Sequence, residues 1–373
     1  MSDYVDAIGD ALDRLTGLGF ERGGDGGDLA NHGPMVAEAL ACLGFTDEVA
    51  SWVERYKRNS SHHDPPTPRS PIDALDESSW RAALGQSNRL GDWERLFESQ
   101  LQERPWRSVL ALWWPRLLPG LLASLTHGLI RTAHAVRSIA HDDEPTNGQL
   151  QELARGLAFW AGRFTEVPGI VQMTGTMSIA DAVAALPRVP ADPGTETLPP
   201  GRSVERWFAR RQLERLANGE RPVGFTDALA NLAPPQGAQQ LLSDMTSTFA
   251  GIYVAHPEVS PVPLVHGVTA PAAIRLVLPH LPEDQHMPSV ATMWKVHLAL
   301  LLAFTHDHDA GETGRPETVD IDTQDFIARA YEHGAEHVIK LVEACLRENA
   351  LRPDPRYGAA AAASLQRISA LQP

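Results

Sequence analysis

Tyr331-Glu332-His333-Gly334-Ala335-Glu336-His337-Val338-Ile339-Lys340-Leu341 lies in a longer segment, Asp322 to Asn349, that reads as one helix. Phe326, Ile327, Ala330, Val338, Leu341, Val342, Cys345 and Leu346 recur at three- and four-residue steps, the pattern of an apolar stripe facing a core. Asp322 or Thr323 offers a cap, and Asp325 places a carboxylate in the first turn, where the helix dipole favours negative charge. In that helix His333 and Lys340 stand two turns apart on nearly the same face, and His337 borders it. Alone, such a helix reads most simply as a solvated His/Glu/Lys face. The rest of the chain changes that reading.

Working outward, no sustained period-two alternation is found, and helical stripes recur along 373 residues of which 43% are apolar. The expectation is an all-α fold: a large, bundle-like helical domain with long loops and few or no strands. One domain over 1–373 is expected, and the Pro-, Gly- and Thr-rich interval 165–202 is where an internal division would fall. Apolar helices are expected at Leu121–Ile139, Gln149–Phe164 and Pro288–Thr305, and another opens after Asn31. A net charge of −15 argues against a nucleic-acid partner. Two isolated cysteines, Cys42 and Cys345, give neither a disulfide framework nor a thiolate metal knuckle. Met1 to Leu18 lacks the layout of a signal peptide, and no apolar run is read as a membrane span. A reduced, cytoplasmic setting is expected.

Arg22 to Asp28 is dense in glycine, but it follows a helix and lacks the register of a nucleotide loop, so no flavin or dinucleotide site is expected. Of the 15 histidines, His62 and His63 fall in a Pro/Ser loop, and His306-Asp307-His308-Asp309 falls in another. Turn segments collect such residues without binding metal. Four histidines differ, because each opens or sits within an apolar helical segment: His32, His127, His266 and His333. A buried imidazole needs partners for its ring nitrogens, and facing helices can supply a shared site.

The residues also carry a resemblance. Gly26-Gly27-Asp28-Leu29-Ala30-Asn31-His32-Gly33-Pro34-Met35, then Leu117 to Arg131 with its Pro-Gly and His-Gly-Leu-Ile-Arg, then Val265-His266-Gly267-Val268-Thr269-Ala270, and finally His333 to Lys340 follow one another along nearly the whole chain. In this order they resemble the questin oxidase-like family of fungal and bacterial polyketide-pathway proteins. That resemblance implies a helical fold and an oxygenase that opens the quinone ring of an aromatic polyketide, above all an anthraquinone, with O2. In ring-cleaving members it implies a mononuclear non-heme Fe(II) held by four histidines and a lysine carboxylated by CO2. Carried over residue by residue, the ligands are His32, His127, His266, His333 and carboxylated Lys340. Gly334-Ala335 departs from the pattern, where a small residue followed by an acidic one is expected.

General chemistry is compatible with that set. A protonated lysine has no lone pair, whereas a neutral amine can add CO2 and become an anionic oxygen ligand. Five protein ligands on an octahedral ion leave one position open. Each ligating imidazole should hand its other N–H to an acceptor, for which Glu336, Glu38 and Asp28 are candidates. Trp113 and Trp294, with Trp114, Phe159 and Trp160, are expected to line an apolar substrate pocket, and Arg131 to steady a phenolate or carboxylate. NADPH would act through a partner reductase that converts quinone to hydroquinone. Baeyer–Villiger-type oxygen insertion, a non-catalytic helical binding protein for a pathway intermediate, and zinc in place of iron are the competing readings.

Overall fold

The computed structural model describes residues 2–23, 28–141, 144–189, 204–306, 312, 314 and 323–372. The glycine-rich stretch 24–27, the Asp28 side chain, the Asp307–Asp309 part of the expected histidine loop, the expected Asp322 cap and the 190–202 part of the expected division lie outside them.

The described residues form helices and one two-stranded ribbon, so the fold is all-α as the periodicity requires. The ribbon pairs β1 (Glu21–Arg22) antiparallel with β2 (Asp28–Leu29). First come α1 (Ser2–Leu15), α2 (Gly33–Cys42), α3 (Val49–Asn59), α4 (Glu77–Ala83), α5 (Leu90–Glu103) and α6 (Trp106–Leu117). The middle holds α7 (His127–Ala140), α8 (Asn147–Gly162), α9 (Ile179–Ala185), α10 (Val204–Ala217), α11 (Phe225–Ala230) and α12 (Ala238–Ala255). Last are α13 (Pro261–Val277), α14 (His286–Phe304), α15 (Thr323–His333), α16 (Glu336–Leu351) and α17 (Pro355–Arg367).

Four of these make a closed ring: α2 packs on α7 and α16, and α13 packs on α7 and α16 from the other side. The ring is buttressed by α8 against α7 and by α12 against α13. The α7–α8 approach is close because Gly128 has no side chain; a Cβ there would lie 2.7 Å from the Trp160 Cα. Segments Pro261–His280 and Glu283–Phe304 are long and apolar enough to cross a membrane, contrary to the expectation that no run reaches that length. In each, 72% of the apolar window is buried inside the fold, as in core helices of a soluble protein.

Two expected helices are interrupted, and both breaks matter for the site. The segment read as Asp322–Asn349 is two helices. Gly334 adopts a left-handed φ of 75°, its N–H closing back on the Ala330 carbonyl at 3.0 Å, which is how glycine ends helices. Arg55 stabilises this break by donating to the carbonyls of Tyr331 and Glu332 at 3.1 and 3.4 Å. Trp52 Nε1 donates to the Gly334 carbonyl at 2.9 Å.

The second break shortens the helix expected from Leu121 to one beginning at His127. Ser124, Leu125 and Thr126, none of them glycine, take φ values of 48°, 53° and 69° in succession. Each such residue costs on the order of 1 kcal/mol or more. The loop is pinned by a bridge from Leu121 to Thr165 and by Trp160 Nε1 donating to the Gly120 carbonyl at 3.0 Å.

Candidate metal centre

Four imidazoles meet where the ring's helices begin. His32 is the residue before α2, whose next positions are Gly33 and Pro34, and Asn31 Oδ1 accepts from the Gly33 N–H at 3.0 Å. His127 is the first residue of α7, presented by the strained left-handed loop. His266 lies in the first half of α13 and is completely buried. The fourth is His337, the second residue of α16, and Lys340 follows three positions later on the same helical face.

Nε2 of His32 lies 2.9 Å from Nε2 of His127, which lies 3.3 Å from Nε2 of His266. The His337 ring centroid is 4.9, 5.8 and 5.4 Å from those of His32, His127 and His266. One ligand atom each from His32, His127 and His337 falls within 4.8 Å of the others. Two nitrogens bound at about 2.1 Å to one ion stand about 3.0 Å apart at a right angle and about 3.4 Å at a tetrahedral one. The observed separations match that range.

The other ring nitrogens decide the protons. Nδ1 of His127 faces the Ser124 carbonyl at 2.6 Å, and Nδ1 of His266 faces the Val262 carbonyl at 2.9 Å. A carbonyl only accepts, so each Nδ1 carries the hydrogen and each neutral ring points a bare Nε2 lone pair inward. Burial disfavours the imidazolium of both rings, with His266 pushed down to about 3 and His127 well below its ordinary value. Two lone pairs 3.3 Å apart with no proton between them repel unless a cation lies there. Nδ1 of His32 meets Glu21 Oε1 at 2.8 Å, and Nε2 of His337 is buried with no hydrogen-bond partner. Glu21 is held at about 2; burial pushes it up, but the His32 ring, His32 N–H and Tyr56 hydroxyl outweigh that.

Lys340 is 2% exposed, and its Nζ has no hydrogen-bond partner. Burial lowers its pKa to about 8, so a neutral amine is within reach near neutral pH. Each ring helix carries its histidine nearer its N-terminus, so four positive dipole ends converge here. That field disfavours an ammonium and favours an anionic ligand. Four inward imidazole nitrogens and one desolvated amine therefore fit a transition-metal ion, provided the amine takes an anionic form.

No protein-family model matches the chain, and no curated protein matches it.

Of the residues picked from sequence, His32, His127, His266 and Lys340 come together, and His333 does not. His333 closes α15, beyond the Gly334 break, and its Nε2–H donates to the Ile368 carbonyl at 3.0 Å. The break rotates α16 against α15, so His337 turns inward in its place.

Trp113 and Trp294 are sealed core residues rather than pocket walls: Trp113 Nε1 donates to Gln100 Oε1 at 2.7 Å and Trp294 Nε1 to the Ala228 carbonyl at 3.0 Å. Trp114, Phe159 and Trp160 are fully buried as well. Arg131 is held by a buried two-point pair with Glu152 at 2.6 and 2.8 Å. Glu38 serves His134 and Arg137, not a site histidine. Glu336 acts on Lys340 only through charge.

Glu21 is the acidic partner that sequence reasoning missed. It also accepts from Tyr56, whose hydroxyl lies 2.9 Å from Nε2 of His62. No spacing marks Glu21, because it reaches His32 through the short ribbon. His337 had a usable signal: the glycine at 334 separates it from His333, and it lies one turn from Lys340.

Proposed function

We propose that the chain is a non-heme iron-dependent oxygenase that uses O2 for oxidative carbon–carbon ring cleavage of a polycyclic aromatic polyketide, an anthraquinone-type quinone or hydroquinone. The observation that carries this reading is the convergence of four imidazoles, two of them turning Nε2 inward with Nδ1–H on a backbone carbonyl, beside a desolvated, unpartnered lysine. The order of motifs that resembles questin oxidase-like proteins supplies the substrate class and the iron.

His32, His127, His266 and His337 would hold the ion, with Lys340 as its carboxylated fifth ligand. Carboxylation joins the neutral amine nitrogen to the carbon of CO2 and releases one proton, giving a carbamate that the four helix N-termini stabilise. Four nitrogens and an anionic oxygen exceed the four ligands zinc takes in structural sites, which favours iron. When bound, iron(II) supplies activation of O2. The protein's part is to fix the ring tautomers through Ser124, Val262 and Glu21 and to exclude bulk water.

A cavity of about 780 Å³ supports a flat apolar substrate. Leu125, Val262, Pro263, Leu213 and Phe304 form its apolar wall, Arg206, Arg210, Glu214 and Glu258 also line it, and it touches Ser124, so it backs onto the backbone that holds His127 and His266. A partner reductase drawing on NADPH would supply the hydroquinone, and a cytoplasmic setting suits both.

Metal analysis of anaerobically purified protein tests the reading, with O2 uptake measured against an anthrahydroquinone. Near-stoichiometric iron and hydroquinone-dependent uptake are expected in the wild type, and both are lost in His337→Ala. Wild-type protein that binds zinc alone, or no metal, overturns it.

A further inference from the structure

One to three turns further along, toward their C-termini, the same four helices are tied together a second time. Glu38 of α2 accepts from Tyr4 at 2.9 Å, from His134 Nδ1 at 2.6 Å and from Arg137 Nε of α7 at 2.6 Å. Arg137 Nη1 reaches Glu343 of α16 at 2.5 Å, and Arg347 Nε donates to the same carboxylate at 2.9 Å. Arg347 continues to Glu348 at 3.2 Å and to the Ala272 carbonyl of α13 at 3.2 Å. Arg275 of α13 closes the chain, donating to Glu348 at 2.9 Å and to Ser243 of α12 at 2.9 Å. Glu38, Glu343 and Glu348 are 2%, 4% and 1% exposed.

The placement is regular. Glu38 follows His32 by six residues, Arg137 follows His127 by ten, Arg275 follows His266 by nine, and Glu343 follows His337 by six. At 1.5 Å per residue these are steps of about 9–15 Å, always toward the C-terminus. The four ring helices therefore point the same way, with histidines at one end and one ionic girdle at the other. The facing His127 and His266 lone pairs cannot hold α7 and α13 in register before an ion is bound; they push them apart.

We propose that Arg137, Glu343 and Arg275 are positioning residues whose girdle sets the register of α2, α7, α13 and α16, and so pre-organises the metal site. The inference rests on the metal reading above. The girdle acts at a distance and touches no ligand. Its buried charges cost desolvation that apolar packing would avoid, and a ring of alternating signs locks axial sliding more sharply than apolar contacts do.

The test compares Arg137→Met, Arg137→Lys and Arg356→Met. Arg356 pairs with Asp354 at 2.7 Å at the start of α17 and, among the described residues, with none of the ring helices' charges. Each protein is loaded anaerobically with Fe(II) alone, its affinity is read by chelator competition, and the Co(II) absorption spectrum is recorded as a reporter of ligand geometry. Arg137→Met is expected to bind Fe(II) at least 10-fold more weakly with an altered Co(II) spectrum, Arg137→Lys to recover part of both, and Arg356→Met to change neither despite a lowered Tm.

If Arg137→Met does not fold, Glu343→Gln and Arg275→Lys carry the same expectation. A folded girdle variant with wild-type affinity and spectrum overturns the proposal while leaving the metal reading intact. A wild-type protein that binds no metal overturns the metal reading itself.

Discussion

The two ends of the helix ring are opposites built from the same four helices. At the C-terminal end, three arginines meet three carboxylates, with Arg137 and Arg275 in the last turns of α7 and α13, where the dipole favours cations. At the N-terminal end the polar atoms are left bare: Nε2 of His337, Nζ of Lys340 and the nearby Thr126 Oγ1 are buried without hydrogen-bond partners. One end spends its polar groups on each other and the other keeps them for something else. Buried polar atoms without partners call for an explanation, and here a desolvated amine and an imidazole nitrogen stand together beside three more imidazoles.

The sharpest way to break this contrast is to remove a bare nitrogen. His337→Ala should weaken Fe(II) binding by roughly three orders of magnitude, beyond the 10–100-fold typical of a lost outer partner. The metal-free variant should lose little stability, since no hydrogen bond is forfeited. Titration of Fe(II) and thermal unfolding of the metal-free protein check both halves. Glu343→Ala is the converse. It strands Arg137 and Arg347 in a buried setting and should cost about 3–5 kcal/mol in denaturant unfolding.

Acid should separate the two ends by pH window. Burial pushes Glu343 up, but Arg137 and Arg347 outweigh that and hold it at about 2. Its folded pKa lies below the ordinary unfolded value near 4.3, so its stabilisation is complete above that value and fades as pH falls toward 2. The site histidines act earlier. His266, lowered to about 3, takes up its proton more readily in the unfolded chain, so metal-free stability begins to fall below about pH 6.5. Denaturant midpoints from pH 7.5 to 3 should show both declines. His266→Gln should remove part of the upper one, and Glu343→Gln, relative to its own neutral-pH value, part of the lower.

Next in size is a change that touches neither end. Ala209 lines the 780 Å³ cavity on α10, one turn before Leu213. Ala209→Trp should raise KM for an anthrahydroquinone about 10-fold by filling that space, with iron content and kcat little changed. A KM equal to wild type would place the substrate elsewhere.

Helical periodicity made the fold class legible, because an apolar stripe repeated over many helices averages out local errors. The site was legible to the extent that a histidine in an apolar helix demands a partner: His32, His127 and His266 carried that signal, and Lys340 joined them through the motif order. Three things were not readable. The left-handed run Ser124–Thr126 has no glycine to announce it, so His127 looked like a mid-helix residue instead of the first of α7. Glu21 reaches His32 through tertiary pairing that no local spacing encodes. Trp113, Trp114, Phe159, Trp160 and Trp294 have the composition of a pocket but the burial of a core, and sequence pattern does not distinguish the two.

The smallest effect tests the point at which pattern and structure diverge. A continuous helix from Asp322 would put His333 and Lys340 on one face, whereas Gly334, locked by Arg55 and Trp52, ends α15 and hands that role to His337. A Cβ at Gly334 would lie 1.5 Å from Arg55 Nη2, so the break is enforced from outside the segment as well as by its own left-handed φ. His333→Ala should therefore leave Fe(II) affinity and the Co(II) spectrum unchanged and cost only about 1 kcal/mol, the worth of its hydrogen bond to the Ile368 carbonyl. Loss of the metal in His333→Ala together with its retention in His337→Ala would mean that α15 runs on through Gly334 in solution. The inward-facing ring would then be the one named by motif order, and the contrast between the two ends would have to be rebuilt around it.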